Sequence, residues 1–361
     1  MQKKLIALAI TAAFASAPAF ADVTVYGKLD AGLGNVSTNA IAKTTGVDGP
    51  KTSTTAIGFS QFFTSRVGVK AKEDLGNGMN VAAVVETGLP GGALGNREMN
   101  LALGLGEGTT IKGGFGTTTL RNIAYGYDAI WGANLIGNLM NDTVHKNGLS
   151  SELTKRSTYV EVGHNFGAVT ATADVMVNNT TIDNVTPDTK TGSGFELGAQ
   201  YAAGPLSVGG AYRNTKDSNP LTTATTTNTV PTVVATTNAS DKTNKAFILG
   251  ASYDFGVAMV KAQYANVTVD DNLASTSVKN SGESIGVDVP FTSALTGFAQ
   301  SSFAKNTTTD QKSTGYAVGV KYDMSKSTFA YADVGGTKFD SNANGAGLKA
   351  TQYTIGLVNS F

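Results

Sequence analysis

Charged side chains recur at single positions inside short stretches where apolar residues alternate with small or polar ones. Lys28 and Asp30 share a parity with Thr24 and Tyr26, while Val23, Val25, Leu29, Ala31 and Leu33 take the other. Arg66, Lys70, Lys72, Glu86, Lys112, Glu161, Asp174, Glu196, Lys261 and Lys321 likewise occupy the polar parity of their own segments. Charges ranked along one face of extended chain do not break bonds; around an enclosed aqueous passage, facing sets of them sort solutes by sign. Bond-breaking chemistry has little to work with. The chain has 2 His and no Cys. His145 falls in a polar loop and His164 near a short turn, with no serine and acid at a recognisable spacing, so neither nucleophilic catalysis nor a transition-metal site is expected. Oxygen ligands for calcium stand together at Asp270-Asp271, but nothing else supports a site there. Gly104, Gly106 and Gly108, and Gly113, Gly114 and Gly116, lack the strand-to-helix context of a phosphate loop and suit a crowded sheet better. No cofactor is expected.

The elements that must carry these charges are strands. Phe195-Leu197-Ala199-Tyr201, Phe247-Leu249-Ala251-Tyr253, Val169-Ala171-Ala173-Val175-Val177 and Tyr316-Val318-Val320-Tyr322 all repeat with period two. After residue 21 no run of about 18 apolar residues occurs, which excludes a helical membrane protein but not a barrel, whose segments are about ten residues of alternation. Short turns at 75–78, 106–108, 166–167, 203–205, 254–256, 290–292 and 324–326 alternate with longer polar loops at about 35–56, 90–95, 122–155, 181–192, 217–244, 271–280, 306–312 and 340–349. Seven turns and eight loops join sixteen strands, and both ends then fall on the short-turn side, where the first and last strands can pair. Closure removes exposed edges and satisfies every backbone hydrogen bond inside a bilayer. Tyr201, Tyr253, Phe255, Phe291, Tyr322 and Phe361 cluster at the short-turn ends as an interfacial girdle. A soluble sandwich or solenoid is the competing all-β reading, but its strands average nearer five or six residues.

Residues 1–21 read as a secretory signal: Lys3 and Lys4, an apolar stretch from Leu5 to about Phe14, and Ala19-Phe20-Ala21 as an A-x-A cleavage site. The apolar stretch is shorter than the roughly 20 residues a membrane anchor needs. Residues 22–361 then form the barrel domain. Losing Lys3 and Lys4 takes the 27 basic side chains to 25 against 27 acidic ones, and with no basic patch or arm nothing points to nucleic acid.

Several stretches carry a resemblance. Val25-Tyr26-Gly27-Lys28, Ser65-Arg66-Val67-Gly68-Val69-Lys70 running into Glu73-Asp74-Leu75-Gly76-Asn77-Gly78, Lys112-Gly113-Gly114-Phe115-Gly116, Gly315 to Asp323 and the aromatic C-terminus together resemble the general porins of Gram-negative outer membranes, most closely the betaproteobacterial type. The resemblance covers nearly the whole chain after the signal. It implies a homotrimer of sixteen-stranded antiparallel barrels with short periplasmic turns and long extracellular loops, each barrel a water-filled channel for passive diffusion of small hydrophilic solutes and ions. It also implies an outer-membrane, multi-pass location, contact with outer-membrane lipid, and delivery by the barrel-assembly machinery, for which Phe361 is the signal.

In that family the third long loop folds into the lumen. Here it is 122–155, opening with Tyr125-Gly126-Tyr127-Asp128-Ala129-Ile130 and containing Trp131, the only Trp, with Leu135, Ile136, Leu139 and Met140 as anchors to the wall. By motif match the wall of the constriction takes Lys28, Arg66, Lys70, Arg97 and Arg156, and the loop takes Tyr125, Asp128 and Asp142. Arg97 and Arg156 share the parity of apolar neighbours, so either a bulge intervenes or they stand at strand ends. Wall bases outnumber loop acids, which predicts a weak preference for anions. Two other functions are weighed: a substrate-specific channel, which needs a file of lumen aromatics where most strand aromatics fall on the lipid parity although Tyr26 and Tyr159 point inward, and an adhesin-like barrel presenting its Thr-rich loops.

Overall fold

The computed structural model describes residues 21–41, 48–140, 149–177, 179–181, 189–219, 222–225, 234–237, 240–340 and 347–361. Residues 1–20 of the signal segment, Asp142 and His145 lie outside them. In chain order the strands are β1 (Ala21–Ile41), β2 (Asp48–Phe59), β3 (Arg66–Gly76), β4 (Met79–Gly88), β5 (Glu98–Gly106), β6 (Thr109–Thr117), β7 (Arg156–Phe166), β8 (Val169–Met176), β9 (Asn179–Thr181) and β10 (Thr189–Ala203). They continue with β11 (Leu206–Asn219), β12 (Thr222–Thr225), β13 (Val234–Thr237), β14 (Ser240–Asp254), β15 (Met259–Asp271), β16 (Thr276–Pro290), β17 (Leu295–Asn306), β18 (Gln311–Asp323), β19 (Thr328–Asp340) and β20 (Gly347–Ser360).

Among the described residues, 18 strands form one sheet, and β12 with β13 forms a separate hairpin in a loop. Two spans are each interrupted once. β2 and β3 are halves of one span, both paired to β1, and β8 and β9 are halves of another, both paired to β10. Counted by spans, the sheet is the sixteen-stranded antiparallel barrel expected. It closes where β1 pairs β20 from Lys28↔Ser360 to Ile41↔Gly347. At the end of that seam Phe361 N donates to Gly27 O at 3.1 Å and Gly27 N to Phe361 O at 2.9 Å. A Cβ on Gly27 would stand 2.4 Å from the Phe361 ring, so the seam needs glycine there.

Side chains are distributed inside out. Val25 is 58% exposed, Leu101 57% and Ile355 58%, whereas Asp30, Glu196 and Arg213 are 0% exposed. The apolar parity faces outward, as a lipid-facing band requires, and the charged parity faces inward. Tyr201, Tyr253, Phe255, Phe291, Tyr322 and Phe361 are all exposed on the outside near the short turns. Those turns depend on backbone that few side chains tolerate: Gly76, Asn77 and Gly78 have φ of 79, 53 and 78°, and Gly106, Glu107 and Gly108 follow the same course at 82, 48 and 82°.

The loop expected at 35–56 is mostly strand. β1 runs to Ile41 and β2 begins at Asp48, with pairing from Ala31↔Phe59 to Asn39↔Lys51. Above the lipid band both faces of a strand meet water, so alternation vanishes while the backbone ladder continues; Asn35 Nδ2 bonds across it to Ser53 Oγ at 3.0 Å and Thr55 Oγ1 at 2.7 Å.

The break between β2 and β3 is held from inside. Asp30 Oδ2 accepts from Phe62 N at 2.6 Å and Phe63 N at 2.5 Å, and its Oδ1 accepts from Tyr331 OH at 2.7 Å. Phe62, fully buried, stacks on Tyr331 with ring centroids 4.8 Å apart. Asp30→Ala strands two buried N–H groups and a hydroxyl. It is expected to lower unfolding free energy in detergent by roughly 2–4 kcal/mol, whereas the lipid-facing change Leu29→Val stays within about 1 kcal/mol; urea titration followed by tryptophan emission measures both.

Candidate functional site: the constricted lumen

The segment after β6 turns into the barrel instead of continuing outward. It starts as a helix, Thr119–Gly126, whose N-cap residue Thr118 makes no side-chain cap bond. The wall supplies the cap. Asp174 Oδ2 accepts from Thr119 N at 3.1 Å and Glu196 Oε2 from Leu120 N at 2.8 Å, two carboxylates at the positive end of the helix. Arg213, also fully buried, bonds Glu196 Oε1 through Nε, Thr118 Oγ1 at 2.8 Å and Glu152 O at 2.7 Å. One arginine thereby ties the start of the loop to its return, the Leu149–Leu153 helix.

From there the loop follows the wall. Ala129 N donates to Gln300 Oε1 at 3.0 Å, Lys261 Nζ to Asp128 O at 3.3 Å, Ser302 Oγ to Gly137 O at 2.5 Å and Ile136 N to Gln352 Oε1 at 2.8 Å. Wall glycines make the room: a Cβ on Gly315 would lie 2.5 Å from Gly137 O, and one on Gly335 2.1 Å from Ile136 O. Leu135, Ile136, Leu139 and Met140 are buried, as the anchoring expectation requires. Trp131 is half-buried, edge-on to Phe298 with centroids 5.4 Å apart, and Lys321 Nζ sits 5.8 Å over its ring.

Because the loop covers the wall from β8 round to β20, the open passage runs along β1 and β3 to β7. A chamber of about 330 Å³ lies there, lined on the wall side by Lys28, Arg66, Arg97 and Arg156 and on the loop side by Arg121, Asn122, Tyr125, Trp131 and Asn134. Arg66 Nε is 3.4 Å and Arg97 Nε 2.6 Å from Glu86; Arg156 Nε is 3.7 Å from Glu98 Oε1 and makes no hydrogen bond. Lys28 Nζ stands 4.2 Å over the Phe63 ring. Arg121 Nη2 donates to Tyr125 OH at 3.1 Å with its guanidinium 4.4 Å over the same ring.

The structure thus brings Lys28, Arg66, Arg97, Arg156 and Tyr125 together. Arg97 immediately precedes β5 and Arg156 opens β7, so both stand at strand ends and no bulge is involved. Lys70 is not in the chamber; it lies further toward the short turns with its Nζ 5.6 Å over Tyr26. Asp128 is a correction. It is fully buried under the loop, its Oδ2 accepting from Gly132 N and, at 3.2 Å, from Asn138 Nδ2, and it lines no part of the chamber. Burial drives its carboxyl above the ordinary range against those bonds. The Gly132 turn needs a nearby acceptor, and the motif match could not tell that structural use from a lumen charge.

Arg121 and Glu98 were missed. Arg121 lies on a helix, one residue before the segment read as loop at 122–155, where period two has already ended and gives no parity to rank it. Glu98 accepts from Thr117 N at 3.1 Å and Thr117 Oγ1 at 2.5 Å, a contact across strands that only the pairing reveals.

Comparison with known proteins agrees with this architecture. A family model described as Gram-negative porin matches residues 6–342. The chain belongs to the Gram-negative porin family. The porin is 27% identical over 382 residues to an outer membrane porin protein of Bordetella pertussis, covering 92% of this chain and 93% of that one. Among solved structures it is similar to the anion-selective porin from Comamonas acidovorans, with TM-score 0.73, 18% identity and 94% and 100% of the two chains covered. It is also similar to OmpT of Vibrio cholerae, with TM-score 0.68, 18% identity and 96% and 99% covered. The porin is a channel for passive diffusion across the outer membrane and not an enzyme.

Breaking the buried Arg213–Glu196 pair by Arg213→Ala leaves an uncompensated carboxylate, a loss of about 3–5 kcal/mol. The loop is expected to loosen: single-channel records of the variant show raised conductance with frequent sublevels, where the parent is quiet. Unchanged records would separate the pair from the loop.

Proposed function

We propose that the pore passes small anions in preference to cations. Five cations, Lys28, Arg66, Arg97, Arg121 and Arg156, surround the chamber with two carboxylates among them, Glu86 and Glu98. That is an excess of three positive charges around a space of about 330 Å³, about as wide as the Debye length of roughly 8 Å at physiological salt. The loop adds Arg121 to the basic side and no described acid opposite it. Wall pairs such as Arg97–Glu86 hold guanidinium groups in place, Arg156 Nε stands 3.7 Å from Glu98 without a hydrogen bond, and the Lys28 ammonium lies over the Phe63 ring. The observation that carries the reading is Arg121, because it turns a basic wall into a basic ring.

Reversal potentials in a potassium chloride gradient test it. The expected sign is that of chloride preference; Arg121→Glu together with Arg156→Glu removes the excess and is expected to bring selectivity to neutral or reverse it, with conductance in high salt little changed. Cation preference in the parent overturns the reading.

Three further assignments belong to the same reading. Residues 1–21 are a signal removed on export. The barrel assembles as a homotrimer, as one Vibrio cholerae relative is described in a trimer form. Phe361 serves the assembly machinery as well as the outer girdle, where it is 57% exposed. Deleting Phe361 is expected to lower outer-membrane yield several-fold in cells while the purified chain still refolds in detergent; equal yield would leave it only the girdle.

A further inference from the structure

Aromatic rings enter the chamber together with the cations. Phe63 comes from the break between β2 and β3, Tyr125 from the helix Thr119–Gly126 and Trp131 from the turn that follows it, and all three line the same space as the guanidinium groups. None of them stands on a strand, so strand parity passes over them. Each is also paired with a cation. Lys28 Nζ lies 4.2 Å from the centroid of Phe63, the Arg121 guanidinium 4.4 Å from that of Tyr125 and Lys321 Nζ 5.8 Å from that of Trp131.

A passage for inorganic ions needs the charges but not the rings. The structural use of a ring here is to anchor the loop or to hold a cation in place. Trp131 is poorly explained that way. Its neighbours Ile130, Ala133 and Leu135 are buried and supply the anchor, whereas Trp131, the only Trp, keeps part of its surface on the chamber. Its backbone is held in the left-handed region, with φ of 56°, where a bulky side chain is strained. Gly132 follows at 70°, and the buried Asp128 holds both residues: its carbonyl oxygen accepts from Trp131 N at 3.3 Å and its carboxylate from Gly132 N. Gly132 in turn leaves room for Tyr125, whose ring would lie 2.1 Å from a Cβ at that position. Strain of this kind persists only where the surroundings impose it, and it gathers at ligand clamps. Here it sets two rings beside a cluster of arginines.

We propose that the chamber is a saturable site for arene carboxylates, taking the carboxylate among the guanidinium groups of Arg97, Arg121 and Arg156 and the ring against Trp131 and Tyr125. The site rests on the anion preference proposed above and adds which anions that preference favours. A guanidinium fork takes both oxygens of a carboxylate, and aromatic surface adds attraction for a flat ring. A space of about 330 Å³ lies at the small end of the range for ligand sites, which suits a single ring. Passage stays passive: the site raises the local concentration of such acids and releases them to either side.

The parent porin is placed in planar bilayers in potassium chloride, and benzoate, cyclohexanecarboxylate and acetate are titrated in turn while the chloride current is recorded. Trp131 emission is followed over the same titrations in detergent. Benzoate is expected to reduce the current saturably, at a concentration roughly fivefold below that of cyclohexanecarboxylate, with acetate weaker still, and to shift Trp131 emission with the same half-saturation. Trp131→Leu is expected to erase the difference between the two ring acids, and Trp131→Phe to keep most of it. Equal potency of benzoate and cyclohexanecarboxylate on the parent overturns the proposal without reliance on any variant. Block by benzoate with Trp131 emission unmoved places the site elsewhere and overturns it too. If either result accompanies chloride preference in the reversal potentials, the anion reading stands and this one falls; cation preference with no block by any of the three acids removes both.

Discussion

The pairing of β1 with β20 is the constraint on which the rest of the molecule depends. An open sheet in a bilayer would expose two rows of N–H and C=O groups to hydrocarbon, each costing several kcal/mol, so the apolar outside and the charged inside can exist only once the seam is closed. The seam runs along β1 from Lys28 to Ile41, and the other edge of the same strand serves β2 and β3. Since Lys28 and Asp30 sit on that strand, closure also fixes where the passage begins. A slip of one residue would put Lys28 against lipid and Leu29 in the lumen.

A closed sixteen-stranded wall leaves a lumen too wide to discriminate, and the narrowing comes from the loop after β6. Its attachment inverts the usual logic of a helix cap. Thr118 could cap its own helix but does not, and two wall carboxylates do so instead, one of which, Glu196, is paired to Arg213. The cap is therefore a tertiary contact, and the helix can form in this place only when β8, β10 and β11 are already adjacent. The far end depends on backbone approaching backbone at Gly315 and Gly335. These glycines stand at positions where the inward side chain of an ordinary strand would exclude the loop.

Much of this was legible in the sequence, and what was not has a physical cause. Period two with alternating short and long breaks gave the strand number, the closure and the inward set, because the bilayer forces each outward side chain to be apolar. The signal fades where water meets both faces, which is why β1 and β2 were cut short at 35–56. It also fails in the constriction loop, where side-chain direction follows a helix and tight turns. There Leu135, Ile136, Leu139 and Met140 still betrayed an anchored segment, since apolar residues in a free loop would have no partner. Asp128 was read as a lumen charge and Arg121 was passed over; only the packing of the loop buries the first and sets the second against the chamber.

The electrostatics of the chamber follow from how its acids are used. Glu86 takes Arg66, Arg97 and the Tyr26 hydroxyl, and Glu98 takes Thr117 at both backbone and side chain besides Arg156 at 3.7 Å. Each carboxylate is thus committed to the wall, holding long side chains in one geometry, and neither points across the passage. Guanidinium groups fixed in this way lose little entropy when an anion arrives, and their planar donors are aimed before it does. Strong pairing would trap the anion and stop the flow, but at this exposure the attraction is screened by water and salt. A ring of fixed donors with moderate attraction is what a pore needs: enough to favour entry by one sign, too little to hold what has entered.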